Sequence, residues 1–312
     1  MNNSPTPPRS TLTLALLGGI CAVSTASIFI RFAQHEGASS ILIAGARLTI
    51  ASLVLAPVAL TSYRVELRRL SRREWMFALL AGTFLALHFA AWITSLETTT
   101  VASSVVLVST TPLWVAIFAP VLLRERLGKY TAIGLTLSLA GGVIVGLSDS
   151  CSWQSSTLLC PPFQTYIGGK AFLGDLLALV GALMAAGYLL VGRNLRSKIT
   201  LIPYIFVVYG MAALVLIMVM VGMGKSPLGL PPVTYLWFTL LALVPQLLGH
   251  STFNWALKFL PASFVSVALL GEPVGSTILA YFIFQEQPGW IKIGGAVLIL
   301  SGILLAGRGE IN

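Results

Sequence analysis

Three polar side chains recur at a spacing of four inside an otherwise apolar stretch: Gln246, His250 and Asn254. On an α-helix this spacing puts all three on one face, within roughly an 80° arc. Such a stripe either lines a wet space and binds a solute or hydrogen-bonds neighbouring helices together. A second face carries His88 and Trp92. An imidazole can bind a carboxylate or relay a proton near neutral pH. An indole can stack on a flat solute or hold a cation against its ring, and Trp92 suits a membrane-interface anchor equally well. Glu272 directly precedes Pro273. Proline removes a helix hydrogen bond, so bared carbonyls beside a carboxylate offer a place for an ammonium group or a proton. The same dipeptide can instead serve a gate or a helix–helix bond. Pro112 makes the equivalent break elsewhere, with Thr110, Thr111 and Trp114 beside it. Ser24, Ser27 and Tyr188 add hydroxyls. Arg47, a cation in an apolar stretch, is expected to pair with an acid or with helix-end carbonyls in a structural role. No His/Cys cluster has metal-ligand spacing and no Gly-x-Ser-x-Gly elbow occurs. Neither metal, cofactor nor catalytic residue is expected.

The elements that position these residues follow from composition. The 312 residues are 56% hydrophobic and only 9% charged. A soluble domain usually carries about 25% charged residues, so the surface of this chain is built for lipid. A bilayer core of about 30 Å needs about 20 apolar residues per helix. Ten spans are expected, near 12–33, 40–60, 75–95, 101–123, 130–148, 172–192, 201–222, 235–257, 262–284 and 289–307. Residues 1–11 form a Pro-rich polar tail, expected to be disordered. A cleaved signal peptide competes for span 1. It is disfavoured because Arg9 is the only charge before that span.

The net charge of +9 does not point to nucleic acid, because the basic residues lie in short clusters between apolar runs. They orient the chain instead. With the N-terminus in the cytoplasm, the inner segments hold 14 of the 19 Lys and Arg and the outer ones hold Arg31, Lys170, Lys225 and Lys292. Both termini are therefore expected inside a cell (cytoplasmic) membrane. The longest loop, 149–171, falls outside, where disulfides persist, and a Cys151–Cys160 bridge is expected there. Cys21 sits within span 1 as a small hydrophobe.

The second half echoes the first. At an offset of 161, Leu96 matches Leu257, Pro112 matches Pro273, and Glu125 matches Glu286. Gly128, Gly134 and Gly141 match Gly289, Gly295 and Gly302 at the same offset, while Gly19 and Arg31 match Gly181 and Arg193 at 162. Each half holds five spans, an odd number, so the second must enter the membrane inverted. Inverted repeats are a mark of secondary transporters, with the solute site at the midplane where the halves meet. The symmetric placement of Glu125 and Glu286 argues for scaffold or gate. Gly134, Ser138, Gly142 and Gly146 recur every four residues and make a small face for close helix packing, within the subunit or between copies.

Two five-helix halves, each ending in an apolar helix, a Glu and a Gly-rich final helix, resemble the EamA family of the drug/metabolite transporter superfamily. The residues that carry the resemblance are Ser109-Thr110-Thr111-Pro112-Leu113-Trp114 and Leu123-Arg124-Glu125-Arg126-Leu127-Gly128, with Leu270-Gly271-Glu272-Pro273-Val274 and Phe284-Gln285-Glu286-Gln287-Pro288-Gly289 in the second half. The resemblance covers about 12–307. It implies ten helices, internal termini, a central cavity and transport without ATP hydrolysis, and no Walker-type phosphate loop is present. Members often resemble exporters of amino acids, aromatic ones included; others carry nucleobases or vitamins, some of them inward.

The expected fold is thus an all-α integral membrane protein of ten transmembrane helices in two inverted five-helix repeats, 12–148 and 172–308. The expected function is alternating-access export of an amino acid or similar metabolite, with import as the alternative and a membrane-embedded enzyme as the rival class. Glu272 would take a positive group. His88, His250, Gln246 and Asn254 would take polar groups, and Trp92 or Trp114 an apolar part. The expected partners are the small solute, membrane lipid and, in a coupled mechanism, a proton, in a monomer or a homodimer.

Overall fold

The computed structural model describes residues 7–99, 104, 107–150, 152–154, 157–159, 170–285 and 289–310. In hydrocarbon no water is available to the backbone, so apolar runs satisfy their peptide groups internally by becoming helices. The N-terminal half comprises α1 (Arg9–Ser24), α2 (Ala26–His35), α3 (Ser40–Thr61), α4 (Arg64–Arg69), α5 (Arg72–Thr98), α6 (Thr111–Leu122) and α7 (Lys129–Ser150). The C-terminal half comprises α8 (Lys170–Arg196), α9 (Leu201–Gly222), α10 (Pro232–Leu241), a π-helical segment Ala242–His250, α11 (Ser251–Ala256), α12 (Ala262–Leu269), α13 (Gly271–Phe284) and α14 (Trp290–Glu310). Two three-residue strands, Ser152–Gln154 and Thr157–Leu159, pair antiparallel in the loop between the halves. Cys151 and Cys160 lie outside the described residues, as does Glu286.

Among the described residues, seven helical stretches are long and apolar enough to cross a membrane. Three shorter apolar helices, Thr111–Leu122, Lys129–Ile144 and Ile293–Arg308, fall at the other expected spans. Large apolar side chains such as Val121, Leu304 and Phe282 stay exposed, as lipid-facing positions do. The start of α5 is fixed by a capping box. The Ser71 hydroxyl accepts from the Glu74 N–H at 3.2 Å, and the Glu74 carboxylate accepts from the Ser71 N–H at 2.8 Å.

The most extensive packing joins helices of opposite halves: α7 with α14, α5 with α8, and α3 with α9. The α7–α14 seam is made by missing side chains. A Cβ on Gly134 would strike the Gly302 carbonyl, and one on Gly141 would strike the Gly295 carbonyl. Ser138 Oγ, between them, donates to the Ile299 carbonyl at 3.2 Å. Gly142, expected on this face, meets nothing within 4 Å. The seam therefore follows the i, i+4, i+7 stripe of a helix contact and not a strict repeat of four.

Two spans are broken. A turn at Ser109–Thr110 precedes α6, with Pro112 in its first turn. A turn at Leu270 precedes α13, with Pro273 in its first turn. Arg124 and Gln285, beyond the ends of α6 and α13, both adopt a left-handed φ of 57°.

Candidate functional site

Span 8 carries the polar stripe, but not on a regular α-helix. Pro245 has no N–H to give to the carbonyl four residues back, and the chain widens into π-helical turns over Ala242–His250. Such turns are rare and cluster at functional sites. Reading the spacing of Gln246, His250 and Asn254 as a uniform 3.6-residue face was therefore incorrect. The signal that could have corrected it was Pro245 in mid-span.

Gln246 and Asn254 are fully buried and His250 is partly buried. Asn254 closes a network between helices. The Tyr188 hydroxyl on α8 donates to Asn254 Oδ1 at 2.6 Å, and Asn254 Nδ2 donates to the Tyr209 hydroxyl on α9 at 3.2 Å. The Ser251 hydroxyl donates to the Gln246 carbonyl at 3.3 Å. It can therefore accept from Tyr209, whose hydroxyl lies 3.1 Å away. Each group donates to the next, so the chain is self-consistent. The Gln246 side-chain amide lies beside the Tyr209 hydroxyl, but the two make no well-formed hydrogen bond.

On α5, His88 Nδ1 lies 2.9 Å from the Gly181 carbonyl on α8. A carbonyl only accepts, so Nδ1 carries the proton and Nε2 keeps its lone pair. The His88 ring stacks on Trp92, with centroids 5.9 Å apart and planes 13° apart. Trp92 is 7% exposed and its indole N–H has no partner, nor has that of Trp114. Phe89 meets His250 edge-on at 5.4 Å. The His88 bond belongs to the interhelical alternative as much as to a solute site.

Arg47 corrects a sequence expectation. It was expected to pair with an acid or with helix-end carbonyls. Instead its guanidinium is completely buried, and Nε, Nη1 and Nη2 all lack a hydrogen-bond partner. Its guanidinium carbon lies over the face of Phe89, 4.1 Å from the ring centroid. Glu272, the acid whose charge reaches it, forms no ion pair with it. Sequence reasoning saw an intramembrane cation but had no means of seeing that its donors stay unused.

Glu272 opens α13, where the helix dipole favours a carboxylate. Its backbone carbonyl accepts from Ser24 Oγ at 3.3 Å, and Ser276 Oγ donates to the Ser24 carbonyl at 3.0 Å. Ser24 thus belongs to the seam between α1 and α13. Ser27 lies within α2, partly buried. Thr111 Oγ1 donates to the Ala182 carbonyl at 3.3 Å and ties the α6 restart to α8.

Glu125 stands apart from this centre. Arg193 Nε donates to Glu125 Oε1 at 2.5 Å, Arg193 Nη1 to the Leu257 carbonyl at 2.7 Å, and the Ala262 N–H to Glu125 Oε2 at 3.2 Å. The pair ties the end of α6 to the end of α8 and to the connection between α11 and α12. A cleft of about 340 Å³ lies at the N-terminal end of α3, bordered by Ser40, Thr94, Glu97 and Lys225 among others. No group of three His, Cys, Asp or Glu side chains converges among the described residues.

The profile of the EamA-like transporter family matches twice, over residues 9–147 and 172–308. An uncharacterized transporter of Archaeoglobus fulgidus is 24% identical over 263 residues, 83% of this chain and 84% of its own. Solute carrier family 35 member G1 of Mus musculus is 22% identical over 281 residues, 89% of this chain and 73% of its own. Inner membrane protein YtfF of Escherichia coli is 22% identical, covering 83% of each chain. A solved crystal structure superposes with a TM-score of 0.75 at 18% identity, over 96% of this chain and 97% of its own, and so shares the fold. With both halves matched to one transporter profile and apolar helices throughout, this multi-pass membrane protein belongs to the EamA-like transporter family.

Proposed function

We propose that the protein is a secondary carrier that moves a small organic metabolite by alternating access, with amino-acid export as its direction and cargo. The observation that carries this reading is the buried polar centre between the halves. Arg47 of span 2, His88 of span 3 and His250 of span 8 meet Phe89, and the three guanidinium nitrogens of Arg47 have no hydrogen-bond partner. Polar groups at that depth are costly and mark solute pathways.

Ten spans in two inverted halves account for the packing. Advancing every helix by five spans turns the α5–α8 contact into that of the Ala242–His250 segment with α1. It turns the α6–α8 contact into α13 with α1, and α9–α5 into α3 with the same π-helical segment. The contacts α3–α9 and α7–α14 map onto themselves. The left-handed residues Arg124 and Gln285 stand 161 positions apart, and so do the two proline-led restarts. Two like units that can exchange packing are what alternating access requires. The basic-residue count further supports cytoplasmic termini in a cell membrane.

In this reading Glu272 receives a positive group and His250 with His88 Nε2 offers polar contacts. Trp92 and Trp114 supply flat apolar surface with free indole donors. Glu125, Pro112 and Pro273 belong to gating. The test is uptake and efflux in proteoliposomes across a panel of amino acids and nucleobases. Movement of a panel member is expected, reduced at least tenfold by Glu272→Gln and His250→Ala. A panel that stays put, or variants that transport like the wild type, would refute the proposal.

A further inference from the structure

Arg47 remains unexplained by packing. A guanidinium stays protonated at any physiological pH, and an uncompensated charge inside a membrane bundle is normally paired with an acid or with carbonyls. The other fully buried arginine obeys that rule: Arg196 donates to the Asn254 carbonyl at 3.0 Å and to the Ile199 carbonyl. Arg47 is equally enclosed, with 0% of its surface exposed, and does neither. Buried polar atoms without partners are few in a native fold, and each calls for a reason. Gln246, also 0% exposed and without a well-formed hydrogen bond at either amide atom, lies on the π-helical segment that packs against α3, and both it and Arg47 act on Tyr209.

Resting on the carrier reading above, we propose that Arg47 and Gln246 form a carboxylate-binding subsite, and that the cargo must carry a carboxylate. The Phe89 ring lies 4.1 Å from the guanidinium carbon, and no protein acceptor takes any of the three guanidinium nitrogens. A guanidinium edge presents two parallel N–H donors matched to the two oxygens of a planar carboxylate. The Gln246 NH₂ group adds a neutral donor for a remaining lone pair. The charge balance disfavours a dianion. Arg47 and an ionised Glu272, the acid within electrostatic reach, sum to zero, so a zwitterion keeps the centre neutral and a dianionic phosphate would take it two charges negative. A zwitterion fits both ends, its carboxylate on Arg47 and its ammonium toward Glu272. Arg47 lies about 10 Å along α3 from Ser40, which borders the cleft that Lys225 also lines.

The test is ligand-induced thermal stabilisation of the full chain in nanodiscs. The probes are the amino acids and simple monocarboxylates up to 3-phenylpropionate, each beside its carboxamide. One or more acids should raise the melting temperature while the matched amides do not. Arg47→Gln should weaken that acid at least thirtyfold. Arg47→Lys, which keeps the charge and loses the fork, should weaken it about tenfold. Without ligand, Arg47→Gln should melt no lower than the wild type, because it removes an unpaired charge. Equal stabilisation by acid and amide, no stabilisation by any acid, an unaffected Arg47→Gln, or a markedly lower melting temperature of that variant without ligand would each overturn the assignment. The two proposals fail separately. Arg47-dependent binding without movement in proteoliposomes would sink the carrier and leave the subsite. Equal transport of an acid and its amide would do the reverse.

Discussion

The Glu125–Arg193 pair offers the sharpest energetic test of the helix-end contacts. The perturbation is a double-mutant cycle with Glu125→Gln, Arg193→Gln and both together. Glu125 Oε1 and Arg193 Nε meet at 2.5 Å, and the side chains are only 19% and 23% exposed, so water screens them incompletely. Exposed pairs couple by about 0.2–1 kcal/mol, whereas hydrogen bonds to charged groups contribute about 1.5–3 kcal/mol. One charged bond shielded to this degree should couple by about 2 kcal/mol, or roughly thirtyfold in an equilibrium constant. The bonds of Arg193 to Leu257 and of Glu125 to Ala262 are lost or kept within the single variants, so the cycle removes them from the coupling. The assay is unfolding by SDS titration in mixed micelles, repeated at high salt. A coupling below about 0.5 kcal/mol would show that the pair behaves like a surface contact, and its role in holding the ends of α6 and α8 together would be refuted.

Three further outcomes are expected. Gly134→Leu should abolish folded protein by forcing α7 off α14, while Gly142→Leu, which meets nothing within 4 Å, should express like the wild type; fluorescence-detected size-exclusion chromatography distinguishes the two. Tyr188→Phe leaves Asn254 Oδ1 buried without its donor and should cost about 1–3 kcal/mol in the same SDS titration, with a neutral result meaning that water replaces the hydroxyl. Non-reducing peptide mapping should recover Cys151 joined to Cys160, and free thiols at both positions would count against an external loop.

Hydropathy is a one-dimensional record of which solvent each segment prefers, and it placed the seven membrane-length helical stretches within a few residues while giving no sign of α4 or of the break between α1 and α2. It also exposed the polar stripe of span 8, since Gln246, His250 and Asn254 stand out against apolar neighbours. Partner choice is three-dimensional, and there the sequence was silent. Asn254 reads as a solute ligand until Tyr188 and Tyr209 are seen to occupy its amide. His88 reads as a free imidazole until Gly181 is found against Nδ1. Arg47 misled in the opposite sense. The general rule that buried charges find partners is sound, and this residue departs from it, which only coordinates can reveal. Pro245 was the missed local clue, because a proline in mid-span predicts a disturbed register as readily as it predicts a kink.

The glycine seam between α7 and α14 has an evolutionary corollary. Its contacts run backbone to backbone at Gly134 and Gly141, so bulk cannot be added there without separating the two terminal helices. The side chains around Phe89 lie on other helices and are free to vary without disturbing that spine. Selection can therefore retune which solute is recognised while the mechanical frame stays constant, and descendants of one ancestral scaffold can diverge widely in cargo.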